Sequence, residues 1–257
     1  FWRDFYKEDI SYFTNLLTPP FVKKEELLSL YHDNIDLSQV LDGKYENTVR
    51  LFLFCRRDRN YPCLFTAKNK NNDPILNENG ETWFQPALAQ SARGLPSNIV
   101  NGRTPQGVHT MDSVMPTADQ QRAFGKYRRV ILNWVPSSDD DLNTKSFLTS
   151  DSENTSWWRQ ASVSRDIGRS DLRIHGTGKM NNDPDSSWYP LRKTNGCISQ
   201  REGRYGGVDF NDQRIILNQL MKGLELPSNY QNEELISGIL YVIEIDDKKS
   251  SVSRSDI

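Results

Sequence analysis

The chain has 257 residues, 32 of them basic and 34 acidic, for a net charge of −2. That balance excludes a chain built around a nucleic-acid or anionic-membrane surface, and no apolar run approaches the roughly 20 residues of a membrane helix. The apolar share is low at 36%, but 11% aromatic residues, including six tryptophans, supply a core for one large domain.

Residues 1–45 carry helical spacing. Phe5, Ile10, Phe13, Leu16 and Leu17 form one stripe, which Pro19-Pro20 stops. Leu27, Leu28, Leu30 and Tyr31 mark a second, with His32 at its end as a surface histidine. Both read as an N-terminal helical extension without chemistry of its own. No signal segment is legible, and the opening residue is Phe1, as in a processed chain; the missing signal carries no information about export.

From Thr48 the pattern changes to strands. Val49–Cys55 and Cys63–Ala67 flank the charged turn Arg56–Asn60 as a hairpin. Cys55 and Cys63 face each other across it; a disulfide is open, but two free half-buried thiols are the favoured reading. Asn69–Glu81 is a polar loop. Thr104-Pro105-Gln106-Gly107 is a tight turn into a strand that carries His109, read first as a strand side chain and second as a pocket-rim residue. Tyr127–Val135 is a strand, and Ser137–Ser156 a polar loop. Trp157-Trp158 is core for at least one ring, though adjacent tryptophans also suit a sugar- or peptide-binding wall.

Leu172 and Ile174 alternate in a strand that delivers His175 to its tip, where Gly176 turns the chain away. Residues 178–193 form a loop that shapes access to a pocket, with Trp188, Tyr189 and Arg192 as its contact residues. Arg192 has the fork geometry for a carboxylate, although a surface arginine explains it as well. In Thr194-Asn195-Gly196-Cys197 the glycine lets a substrate carbonyl approach the sulfur, with the backbone N–H groups of Gly196 and Cys197 aimed at its oxygen. Beyond it, Asn211–Met221 is a helix capped by Asn211 or Asp212 and closed by Gly223. Ile236–Ile245 is a closing strand, and Asp246–Ile257 a polar tail without a stable element.

A cysteine becomes a nucleophile when a neighbouring base takes its proton and stabilises the thiolate. His32, His109 and His175 are the only imidazoles. Spacing alone does not say which of them meets Cys197, because a His–Cys pair assembles in space.

The segments His175-Gly176-Thr177 and Thr194-Asn195-Gly196-Cys197, preceded by Thr104-Pro105-Gln106-Gly107, resemble the catalytic signature of the L,D-transpeptidase (YkuD-type) family. Two features depart from that pattern: a longer spacer, and Asn195 where the family has a histidine before Gly-Cys. The resemblance implies a mainly β, β-sandwich-like catalytic domain over residues 46–247, with a helix after the cysteine and a polar tail over 248–257. It implies Cys197 as nucleophile, His175 as base, and the Gly176 carbonyl as the group that orients the imidazole. Thr177, Trp188, Tyr189, Arg192, Thr194 and Asn195 would contact substrate. It further implies peptidoglycan stem peptides as partner, a periplasmic or cell-envelope location, and neither metal nor cofactor. The acceptor stays open between an amine, giving a transpeptidase, and water, giving a carboxypeptidase or endopeptidase. A non-catalytic wall-binding module on the same fold is the other-class alternative. The oligomeric state is not readable from the sequence.

Overall fold

The computed structural model describes residues 47–118, 122–135, 140–149, 156–179 and 181–257. The helices expected over residues 1–45, with His32, lie outside them. The strands, in chain order, are β1 (Val49–Arg56), β2 (Cys63–Lys68), β3 (Gln85–Ala87), β4 (Gly107–Val114), β5 (Val130–Trp134), β6 (Arg173–Thr177), β7 (Ile198–Tyr205), β8 (Val208–Asn211) and β9 (Ser237–Asp246). Among the described residues three helices join them: α1 (Asp140–Lys145), α2 (Arg159–Asp166) and α3 (Asp212–Gly223). The protein is thus mainly β.

The strands form one mixed sheet in the order β3-β2-β1-β9-β4-β5-β6-β7-β8. It curls until its flanks meet: Leu88, just past β3, bridges Ser199 of β7, and Ser91 bridges Thr194. The mainly-β expectation is met, and the form is a single continuous curled sheet. Two pairs are parallel, β1 with β9 and β6 with β7. Parallel neighbours need a long crossover, and residues 178–197 supply the second one without any helix.

The unbroken apolar run of β1 is explained by burial on both faces. Val49, Leu51, Leu53 and Cys55 join one core with Leu240 and Val242 of β9 and with Ile216, Leu217, Leu220 and Met221 of α3. Phe52 and Phe54 point the other way, into a second core with Ile239, Tyr241, Ile243 and Phe147. Strand side chains alternate between faces, so such a strand has no polar face to show. Burial of each large apolar side chain stabilises the fold by roughly 1.5–3 kcal/mol. Trp157 and Trp158 are both fully buried in the second core, so neither forms a binding wall.

Several expectations are corrected. Cys55 and Cys63 are joined in a disulfide rather than free, because the register that opposes Phe54 to Leu64 also opposes the two cysteines. The predicted strand over 127–135 begins only at Val130, since Arg128 turns inward to hold the carbonyls of Met115 and Pro116 at 3.1 and 2.8 Å and that of Tyr230 at 2.8 Å. The polar loop 137–156 contains α1. Helix α3 runs through Gly223 to a cap at Leu224, and Asn211 makes no side-chain capping bond. The polar tail is docked: buried Arg56 holds Asp246 at 2.7 Å and Asp256 at 2.6 Å, and a short 3-10 turn forms at Arg254–Asp256. Among the described residues no helix is long and apolar enough to cross a membrane.

Candidate functional site

Register decides what faces what. In the β6–β7 ladder Ile174 opposes Ile198 and His175 opposes Ser199. Both isoleucines enter the core with α3. His175 therefore points to the opposite face, and Cys197 lies in the bend just before β7. Both side chains line one cavity of about 570 Å³. Thr177, Arg192, Thr194 and Asn195 line it too, and Asn195 is exposed. Trp188 and Tyr189 are not part of the wall. Trp188 instead lies under Lys193, whose Nζ sits 3.6 Å from its ring centre, and Lys193 reaches the cavity.

His175 is buried, and its Nδ1 lies 2.6 Å from the Gly176 carbonyl. A carbonyl only accepts, so Nδ1 carries the proton and Nε2 is the basic atom. This is the role expected of Gly176. A Cβ at Gly176 would fall onto the buried Glu202 carboxylate, which in turn accepts from the Lys126 N–H at 2.6 Å. That bond fixes the loop whose Phe124 ring stands edge-on to the imidazole, 5.1 Å between centroids. Burial, reinforced by Arg129, lowers the His175 pKa from 6.5 to about 4 against the opposing pull of the Gly176 carbonyl.

Cys197 is half-buried and is the one free thiol among the described residues. At rest its S–H donates to the Asp171 carbonyl at 3.6 Å. Burial pushes the thiol up, only partly offset by a backbone hydrogen bond from Arg173 and by the charges of Arg173, Arg129 and Arg169. The resting pair is therefore a thiol and a neutral imidazole. Desolvation disfavours both charges.

The turn before the cysteine is closed by Thr194, whose hydroxyl donates to the Cys197 carbonyl at 2.6 Å and accepts from the Gly196 N–H at 3.3 Å. Of the two backbone donors expected at an oxyanion, that of Gly196 is thus already partnered at rest. Gly196 has φ +117° and packs on Arg169: an added Cβ would lie 2.6 Å from Nη2. The Thr104 hydroxyl donates to the Gly196 carbonyl at 2.8 Å, so the Thr-Pro-Gln-Gly turn braces the cysteine turn directly. His109 is the support behind it. Fully buried, it donates from Nε2 to the Pro105 carbonyl at 3.2 Å and packs on Trp134, whose indole N–H holds the Arg169 carbonyl at 2.9 Å.

Sequence reasoning missed Arg169, Asp171 and Phe124. An arginine in Gly168-Arg169-Ser170-Asp171 reads as a solvated loop residue, and no local signal says otherwise. Among the described residues no cluster of three or more His, Cys, Asp or Glu could hold a metal ion.

The histidines make a stability prediction. Burial lowers both His109 and His175 from 6.5 to about 4. As pH falls below about 6.5 the unfolded chain takes up protons first, so their stabilising effect is complete above that value and lost progressively towards pH 4. The loss amounts to roughly 3 kcal/mol per histidine. Thermal melts should show the midpoint dropping steadily from pH 7 to 4; a flat midpoint would mean that the histidines are solvated.

Compared with known proteins, the chain matches no family model, no curated protein and no solved structure.

Proposed function

We propose that the protein is a cysteine acyltransferase of the L,D-transpeptidase type, acting on peptidoglycan stem peptides in the cell envelope. The observation that carries this reading is the parallel β6–β7 register, which brings His175 and Cys197 to one cavity, with Nδ1 closed by Gly176.

In this reading the thiol leaves the Asp171 carbonyl when substrate enters, and His175 Nε2 takes its proton. The sulfur attacks the amide carbon before a terminal D-alanine. The C–N bond breaks as the imidazolium returns the proton to the leaving amine. The thioester then passes its acyl group to an amine of a second stem peptide, and His175 removes that amine's proton. A neutral pair suits this sequence, because charge appears only during the reaction, inside a cavity already lined by Arg169, Arg192 and Lys193.

Product analysis with a purified disaccharide-tetrapeptide tests it. A cross-linked dimer with free D-alanine supports transpeptidation; disaccharide-tripeptide and D-alanine alone assign water as the acceptor. The second reading, a wall-binding module, draws on the protonated thiol and on Asn195. Under it, the native chain releases no D-alanine and Asn195→His gains the activity. Under the enzyme reading the native chain is active, and Asn195→His changes rate or preference only modestly.

A further inference from the structure

One of the charges lining the same cavity is buried. Arg169 is almost fully buried, yet among the described residues it makes no ion pair with a carboxylate. Its guanidinium spends its donors on main-chain carbonyls of the segment that faces the cysteine turn. Nη1 bonds to Ser97 and, at 3.1 Å, to Arg103; Nη2 bonds to Gly102 at 2.9 Å. Its own backbone is fixed on both sides, by the Ser164 carbonyl at 3.0 Å and the Trp134 indole at 2.9 Å. The guanidinium lies against Gly196, and Gly102 Oʹs position 3.0 Å from a Cβ built on Gly196 shows how closely segment and turn are matched.

A buried cation without a counter-ion is costly. Three carbonyl dipoles offset part of that cost, and a nearby anion would offset more. We propose that Arg169 is a positioning residue and a buried counter-charge for Cys197: its guanidinium holds residues 97–103 against the cysteine turn and helps stabilise the thiolate that forms when His175 takes the proton. The inference rests on the reading of Cys197 as nucleophile.

Arg173 and Arg129 also favour the thiolate, each more strongly than Arg169, and Arg173 adds a backbone hydrogen bond to the sulfur, but both guanidinium groups are engaged elsewhere. Arg173 is paired with the Asp171 carboxylate at 3.2 Å. The Arg129 guanidinium lies over the Phe124 ring, 4.5 Å from its centre. His175 is neutral, and Arg192 and Lys193 line the cavity without a charge interaction with the sulfur among those that shift it. Burial lowers Arg169 only to about 10, with the Cys197 charge acting in the opposite sense, so the guanidinium stays protonated wherever the enzyme works. His109, on the other side of the Arg169 backbone, is neutral and contributes no competing charge.

Alkylation of the full chain by iodoacetamide tests this, read by mass spectrometry on the peptide containing Cys197, from pH 7 to 10 without reductant. The Cys55–Cys63 disulfide keeps the other two sulfurs out of the reaction. Arg169→Gln removes the charge and should cut the rate at pH 8 about tenfold, with the profile displaced to higher pH by about one unit. Arg169→Lys keeps the charge but loses the fork, and should hold the profile near that of the native chain. A Gln variant that follows the native profile overturns the proposal. So does a folded Lys variant that loses as much as Gln, since the role would then be loop geometry alone. If the Gln variant does not fold by circular dichroism, the Lys profile decides. No substrate is involved, so a negative muropeptide assay leaves this result intact, and the two failures are distinguishable.

Discussion

Replacing Cys197 with alanine should reduce D-alanine release from a tetrapeptide muropeptide by at least about 10³-fold, because the covalent route is lost altogether. The fold should survive. The sulfur is half-buried, and its hydrogen bond to the Asp171 carbonyl is long, at 3.6 Å. Thr194, Thr104 and Arg169 hold the surrounding turn through backbone groups that the substitution leaves in place. A melting curve and a release assay on the same preparation check both halves. Near-normal release from a folded variant would remove Cys197 from the chemistry.

The two buried histidines should separate cleanly. His175→Ala removes the base and should cost ~10² to 10⁴ in rate. His109→Ala leaves the reacting atoms alone and should cost far less in rate. Its effect should fall on stability, because Pro105 loses its donor and Trp134 its ring contact. Equal rate losses at the two positions would mean that the base is wrongly assigned. The native enzyme should also keep its activity well below pH 6.5, since His175 stays basic down to about 4. An acid limb near 6.5 would place the imidazole in water.

The two halves of the site were legible separately, and their meeting was not. His175 and Cys197 each stand beside a glycine at the end of a short apolar segment, a pattern that sequence displays. The parallel register that joins them spans a crossover of loop residues, and no periodicity reports it. The hairpin of β1 and β2 was readable from its apolar runs, whereas the disulfide depended on which residue opposes which. The tail looked free because the partners of Arg56 lie 190 and 200 residues away. Trp188 and Tyr189 were chosen for their loop, but a loop does not declare which way its rings turn. Arg169 was invisible for a different reason: its burial comes from the segment 97–103 and from Trp134, neither of which is near it in sequence.

The most direct measurement of the central claim is the mass of the protein during turnover of a disaccharide-tetrapeptide, with rapid acid quench and peptide mapping. The account predicts an adduct equal to the substrate acyl group, without its terminal D-alanine, on the peptide containing Cys197, and none in Cys197→Ala. Release of D-alanine with the acyl group on another residue, or with no adduct at any time after the quench while turnover proceeds undiminished in Cys197→Ala, would contradict it.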